Sequence, residues 1–320
     1  MAPVAADVLP LFELPAAWVR PALTASRGFN TVLDTAFYDV PTLAQDLRAK
    51  GEAIETARPN APPDALDLDA LANPEGALLV VDPTTAPYVT RHDDLSDFIA
   101  WHKADPRQPS IVSITGVGSS ALGSAALAWD VALARKAPVI AIVPGYGLAD
   151  ALWQALGGWF GFGLHEALGT RTHVQNWLAL YAPEVAGVGH KLLDDVPGSH
   201  SAVTGAPVFQ RGSGSSDVLH HLMREIRVTC LVGHSKGALS IANALDGLDA
   251  ALTEGLEVIT LGCPVEPEAP GAHYRQYLGA FDALGQLNAW GNQPTDWTPT
   301  VHTTNRGLPL SMDAVALTAP

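Results

Sequence analysis

The sequence predicts an α/β fold: a mostly parallel central sheet with helices on both faces. Three observations carry this. Short apolar runs recur from residue 77 onward, at Ala77–Val81 (ALLVV), Ile111–Thr115 (IVSIT), Pro138–Val143 (PVIAIV), Val228–Val232 (VTCLV) and Val258–Leu261 (VITL). These runs are near-continuous rather than alternating, as in strands buried on both faces. Segments of helical composition separate them, among them Ala121–Arg135, Ser216–Ile226 and Lys236–Leu245, and strand–helix alternation is the pattern of a covered parallel sheet.

Bulk properties agree. The chain has 320 residues, 48% hydrophobic and 16% charged, enough apolar surface for a sizeable core. A net charge of −15 argues against a nucleic-acid partner, which would need clustered Lys and Arg, and against attraction to anionic lipid. The two cysteines, Cys230 and Cys263, offer neither a disulfide framework nor zinc spacing. The first residues lack a basic region followed by a continuous apolar stretch, and no run of 18 apolar residues escapes interruption. A cytoplasmic protein without an integral membrane segment is expected. Nothing in the sequence speaks to oligomeric state.

Taken in order, residues 1–75 read as an N-terminal helical extension broken by prolines, and 76–320 as the α/β domain. Ala77–Val81 is closed by Asp82-Pro83 and reads as a strand, with Tyr88–Arg91 as a candidate neighbour and Asp94–His102 as a short helix. Ile111–Thr115 follows, then a glycine-rich turn, a helix and the strand Pro138–Val143. Residues 146–212 read as an irregular insertion with short helical pieces, rich in Gly, Trp and Phe. It falls where a cap or lid would cover the strand ends, so Trp159, Phe160 and Phe162 are candidate substrate-binding residues. These aromatics, with Trp153 and Trp177, serve equally well as the insertion's own core. After it come helix, strand, helix, strand, and Tyr274–Ala280 as a candidate further strand.

Val228–Ala238 reads V-T-C-L-V-G-H-S-K-G-A, so Gly233-His234-Ser235-Lys236-Gly237 matches G-x-S-x-G between a buried strand and an alanine-rich helix. In that context the serine sits on a sharp, strained strand-to-helix turn that lifts its hydroxyl clear of the sheet. Side chains at the two glycine positions would collide there. The start of the helix brings N–H groups and a positive dipole end beside the serine, which makes the Lys236 N–H a candidate oxyanion donor. The alternative is a serine that merely caps a glycine-flanked helix.

A nucleophilic serine needs a base, and the base an orienting carboxylate. Where this motif occurs on an α/β-hydrolase fold the chain order is Ser, acid, His. Two histidines follow Ser235, His273 and His302. His302, in P-T-V-H-T-T-N near the chain's end, is favoured; His273 comes too soon after Val258–Leu261. Asp282, just beyond the candidate strand Tyr274–Ala280, is the favoured acid, with Glu266 and Asp296 as rivals. His234 and Lys236 adjoin the serine on a turn where neighbours point apart, so neither is favoured as the base.

Thr115-Gly116-Val117-Gly118-Ser119-Ser120-Ala121-Leu122-Gly123 follows a strand and opens a helix. Its G-x-G-x-x-x-x-G spacing is not the dinucleotide fingerprint, no acidic residue ends the next strand, and no G-K-S/T follows. A second oxyanion N–H, from Val117 or Gly118, is the use the hydrolase reading gives it. A tight turn packing helix on sheet is the structural alternative.

Together, V-G-H-S-K-G-A-L-S-I-A-N-A-L and V-I-T-L-G-C-P resemble the core of class 3 lipases in the α/β-hydrolase superfamily. The second segment contains that family's G-x-P turn, here Gly262-Cys263-Pro264. The close match covers residues 228–264 and weakens toward 310. It implies an α/β-hydrolase fold and an esterase or lipase acting on a small-molecule or lipid-like ester through Ser235, Asp282 and His302, without metal or organic cofactor. The family's oxyanion loop reads R-G-T or R-G-S; here it is Thr115-Gly116-Val117, which keeps a backbone donor but not the hydroxyl. An acyltransferase or thioesterase could use the same trio, and a non-catalytic binding module could keep the fold.

Overall fold

The computed structural model describes residues 30–57, 69–71, 76–105, 108–116, 118–144, 164–187 and 189–320. Eight strands form one sheet in the order β2-β1-β4-β3-β5-β6-β7-β8. They are β1 (Leu78–Val81), β2 (Val89–His92), β3 (Ile111–Ile114), β4 (Val139–Ile142), β5 (Cys230–His234), β6 (Glu257–Leu261), β7 (His273–Gly279) and β8 (Asp296–Thr298). From β4 across to β8 all neighbours are parallel. β1 alone is reversed, pairing antiparallel with both β2 and β4. Apolar content cannot reveal this, because a strand buried on both faces reads the same in either direction.

The α-helices are α1 (Val40–Ala57), α2 (Leu95–Ala104), α3 (Ala121–Arg135), α4 (Leu164–Tyr181), α5 (Pro183–Ala186), α6 (Gly214–Glu225), α7 (Lys236–Leu245), α8 (Ala250–Thr253), α9 (Ala283–Ala289) and α10 (Ala314–Thr318). Residues 30–37 are also helical. Strand side chains alternate between two apolar cores. Leu78, Val112, Ile140, Leu231 and Val258 pack under Phe98 of α2, Leu178 of α4, Leu222 of α6 and Ile241 of α7. Leu79, Ile111, Ala141, Val232 and Ile259 pack under Leu43 of α1, Trp129 of α3 and Ala314 of α10. Both faces are therefore covered, which is why the strands lack polar alternation. Residues of the N-terminal stretch, including Tyr38 and Leu43, belong to this second core.

Local chemistry sets the element ends. α3 keeps the bounds expected from sequence. The Ser120 Oγ accepts from the Leu122 N–H at 3.1 Å at its start, and Lys136, at φ 51°, turns the chain left-handed at its end. The Asp94 side chain caps α2 at Asp97 N, 2.8 Å. Two expectations change. β5 starts at Cys230 rather than Val228 and runs to His234, because Gly233 and His234 still pair with Thr260 and Leu261. The described part of the insertion opens on one long helix rather than short helical pieces, while residues 196–212 are turns and bends, irregular as expected. α4 is 18 residues long, although its sequence LHEALGTRTHVQNWLALY has weak helical periodicity, and Leu178, Ala179, Leu192, Leu193 and Phe209 join the first core. β8, three residues of which two are exposed, carries no apolar run and was not expected.

A charge cluster of two buried aspartates and the more exposed Arg306 ties the C-terminal loop to α3. Arg306 donates from Nε to Asp39 at 2.7 Å and from a terminal nitrogen to Asp130 Oδ1 at 2.9 Å. Burial pushes the Asp130 carboxyl up to about 7, opposed by Arg306 and reinforced by Asp39, Asp313 and Asp46. The folded protein thus binds this proton more tightly than the unfolded chain, so the group's contribution to stability declines as pH rises from about 4 to about 7. Asp130→Asn removes that titration. Urea unfolding of variant and wild type between pH 4 and pH 8 is expected to show the difference swinging toward the variant by a few kcal/mol as pH rises. A pH-independent difference would contradict the raised value.

Candidate active site

β5 ends at His234, and Ser235 follows with φ 54° and ψ −128° before α7 begins. A non-glycine residue at positive φ is strained, and such strain gathers at functional positions. Its neighbours explain the two glycines. A Cβ on Gly233 would lie 2.6 Å from Ala238 N and Cα, and one on Gly237 would lie 2.7 Å from Ile114 C and Thr115 O. These are backbone atoms that cannot step aside, so the strand-to-helix turn is this tight only with glycine at both places. The Ser235 N–H donates to Leu261 O at 2.8 Å, which keeps the turn attached to β6. Lys236, the first residue of α7, brings its N–H into the helix's first turn beside the serine.

Ser235 Oγ lies 2.8 Å from His302 Nε2, and His302 Nδ1 lies 2.7 Å from Asp282 Oδ2. All three are buried, Asp282 and Ser235 at 1% and 3% exposure and His302 at 9%. With the carboxylate ionised, Nδ1 carries the proton and donates to it, which leaves Nε2 to accept from the serine hydroxyl. Asp282 is itself held. It caps α9, with Oδ1 accepting from the Gly285 N–H at 2.6 Å. Gly262 closes over the pair: at φ 72°, a Cβ there would lie 3.0 Å from His302 Nδ1 and 3.1 Å from Asp282 Oδ2. Gly262 opens the G-C-P turn, so that turn is where backbone approaches the imidazole–carboxylate pair.

The loop carrying His302 is fastened to residues 35–37. The Thr303 hydroxyl donates to Ala36 O at 2.7 Å, Thr304 N to Phe37 O at 2.9 Å and Asn305 Nδ2 to Thr35 O at 2.6 Å. Phe37 meets the His302 ring edge-on at 6.3 Å. The glycine-rich turn is fastened to the same stretch. The buried Asp34 carboxylate accepts from Ser119 Oγ at 2.9 Å, Ser120 N at 2.9 Å, Ser120 Oγ at 2.6 Å and Gly123 N at 3.2 Å. The Gly116 N–H donates to Tyr38 Oη at 2.8 Å. His234 is buried beside Tyr38, with Nδ1 3.1 Å from Oη, and its ring lies 4.9 Å from that of His302. Burial, and then the nearby His302, hold the His234 imidazole well below its usual pKa, hence neutral.

A cavity of about 100 Å³ opens at this point, lined by Ser235, His302, Phe37, Tyr38, Gly116 and Leu284 among others. Of the other candidates, His273 is exposed at the start of β7, the far end from Ser235, and Glu266 and Asp296 are exposed. Val117, Trp153, Trp159, Phe160 and Phe162 lie outside the described residues; Gly118, at φ 85°, lines the cavity. Trp177 is half-exposed on α4. Asp34, Phe37 and Tyr38 were not foreseen, because their contacts span 78 to 267 residues of sequence. Among the described residues, no group of His, Cys, Asp and Glu is placed to hold a metal ion, and no helix is long and apolar enough to cross a membrane. Comparison of the chain with protein-family models, curated proteins and solved structures finds no match.

Proposed function

We propose that this protein is a serine hydrolase of the α/β-hydrolase type that cleaves carboxylic esters. The observation that carries the reading is the continuous hydrogen-bond relay Ser235–His302–Asp282, at 2.8 and 2.7 Å, built on a serine with φ 54°. Ser235 Oγ attacks the ester carbonyl while His302 Nε2 takes its proton. The π pair moves onto the carbonyl oxygen, where the Lys236 N–H and the glycine-rich turn meet the charge. His302 then returns the proton to the leaving alcohol as the C–O bond breaks. Water, deprotonated by His302, cleaves the acyl-enzyme. Asp282 holds the imidazole in the required tautomer and stabilises its charged form.

A fluorophosphonate probe tests this directly. The expected result is one adduct, mapped by mass spectrometry to the peptide bearing Ser235, together with hydrolysis of short p-nitrophenyl esters. Folded protein that takes no adduct and turns over no ester would refute the reading and favour a binding module.

A further inference from the structure

The phenol of Tyr38 is buried against the nucleophile turn and lines the same cavity as Ser235. Its oxygen accepts from the Gly116 N–H at 2.8 Å and stands 3.1 Å from His234 Nδ1. Neutral His234 carries one ring proton. Its Nε2 has no partner among the described residues. A buried N–H without an acceptor is rarer and costlier than an under-used acceptor, so the proton belongs on Nδ1 and His234 donates to Tyr38. Two N–H groups then occupy the phenol's lone pairs.

The Tyr38 proton must go elsewhere, and burial pushes the phenol's pKa well above its usual value, so the proton stays on. The side chains of Thr115 and Ser119 hydrogen-bond the phenol. Thr115 Oγ1, however, pairs with Ser124 Oγ at 3.1 Å, and Ser119 Oγ donates to Asp34. Both are neutral acceptors that an anion would outcompete. Tyr38 Oη and Ser235 Oγ flank one point: a Cβ on Gly116 would lie 3.4 Å from the first and 3.6 Å from the second, and both groups line the same cavity.

We propose that Tyr38 is a further catalytic residue whose O–H donates to the oxyanion of the tetrahedral intermediate, with the Gly116 N–H acting through the phenol rather than directly on substrate. As the Ser235 Oγ–carbon bond forms and the π pair moves onto oxygen, that oxygen accepts from Tyr38. The proton stays on the phenol, and the pair returns when the alcohol leaves. Chained donors polarise one another, so the Gly116 and His234 N–H groups strengthen this one. The inference rests on the hydrolase reading and adds a donor that neither the G-x-S-x-G motif nor the glycine-rich turn contains.

The test compares wild type with Tyr38→Phe on matched oxo- and thionoesters. Tyr38→Phe is expected to lower kcat on the oxoester by roughly 10²–10³-fold with little change in KM. The thionoester, whose developing sulfur anion accepts hydrogen bonds poorly, should lose much less, so the oxo/thiono preference shrinks. Equal losses on both esters would mark a structural role and overturn the proposal, as would an unchanged oxoester rate. Should Tyr38→Phe fail to fold, 3-fluorotyrosine at position 38 keeps the shape and makes a stronger donor. A raised oxoester kcat then supports the proposal and an unchanged one overturns it. Wild type that neither labels at Ser235 nor cleaves esters would instead remove the hydrolase reading itself, a result distinct from either variant's.

Discussion

Ser235→Ala is expected to lower kcat for ester hydrolysis by on the order of 10⁴–10⁶-fold while leaving the fold intact. The large effect follows from the relay. Without Oγ there is no atom to form the acyl bond, and His302 Nε2 loses its partner at 2.8 Å. The small effect on stability follows from the backbone. Alanine bears the same Cβ as serine at φ 54°, so the strain of the turn is unchanged. His302→Ala should cost nearly as much, and the double variant should be no slower than the slower single one, because residues that act as one unit are not additive. Single-turnover kinetics on a p-nitrophenyl ester would separate the cases. A Ser235→Ala protein within about tenfold of wild type would show that hydrolysis occurs elsewhere, and multiplying losses in the double variant would show that the two groups act independently.

What could be read in the sequence, and what could not, divides by distance along the chain. The turn at Ser235 is local: five consecutive residues contain both glycines, the serine and the first residue of α7, and the collision of a Gly233 Cβ with Ala238 is built into one strand–turn–helix unit, although that of a Gly237 Cβ is with Ile114 of β3 and Thr115 just after it. His302 and Asp282 lie 67 and 47 residues from Ser235, yet they were named because the sheet imposes an order. β6, β7 and β8 follow β5 in parallel, so the loops after β7 and β8, which bear Asp282 and His302, return to the same edge. The reversal of β1 and the edge strand β8 left no trace in the apolar pattern. Nor did the role of residues 34–38. Phe37 and Tyr38 look like ordinary core aromatics, and Asp34 like a helix-surface carboxylate, until the fold sets them against Ser119, Ser120 and Gly116. A proline-broken extension thereby supplies one wall of the candidate site and fastens the loop that bears His302.

Asp282→Asn isolates the orienting role of the acid with little disturbance elsewhere. Asn caps helices about as well as Asp, so its oxygen should still accept from the Gly285 N–H, now at 2.6 Å from Oδ1. Stability should therefore fall by no more than about 1–2 kcal/mol. The other end of the amide then presents NH₂ to His302 Nδ1, where the carboxylate now accepts at 2.7 Å. Two donors cannot face each other, so the imidazole moves its proton to Nε2. That nitrogen then points an N–H at Ser235 and can no longer take the serine's proton. The expected loss in kcat is on the order of 10⁴-fold, with a matching slowing of fluorophosphonate labelling. Nitrogen-15 shifts of the His302 ring would report the tautomer directly. A folded Asp282→Asn protein that keeps its rate and its Nδ1–H would mean that Asp282 serves as the cap of α9 and nothing more. In that event the buried pair, with Gly262 closed over it, would exist to hold the loop rather than to activate Ser235.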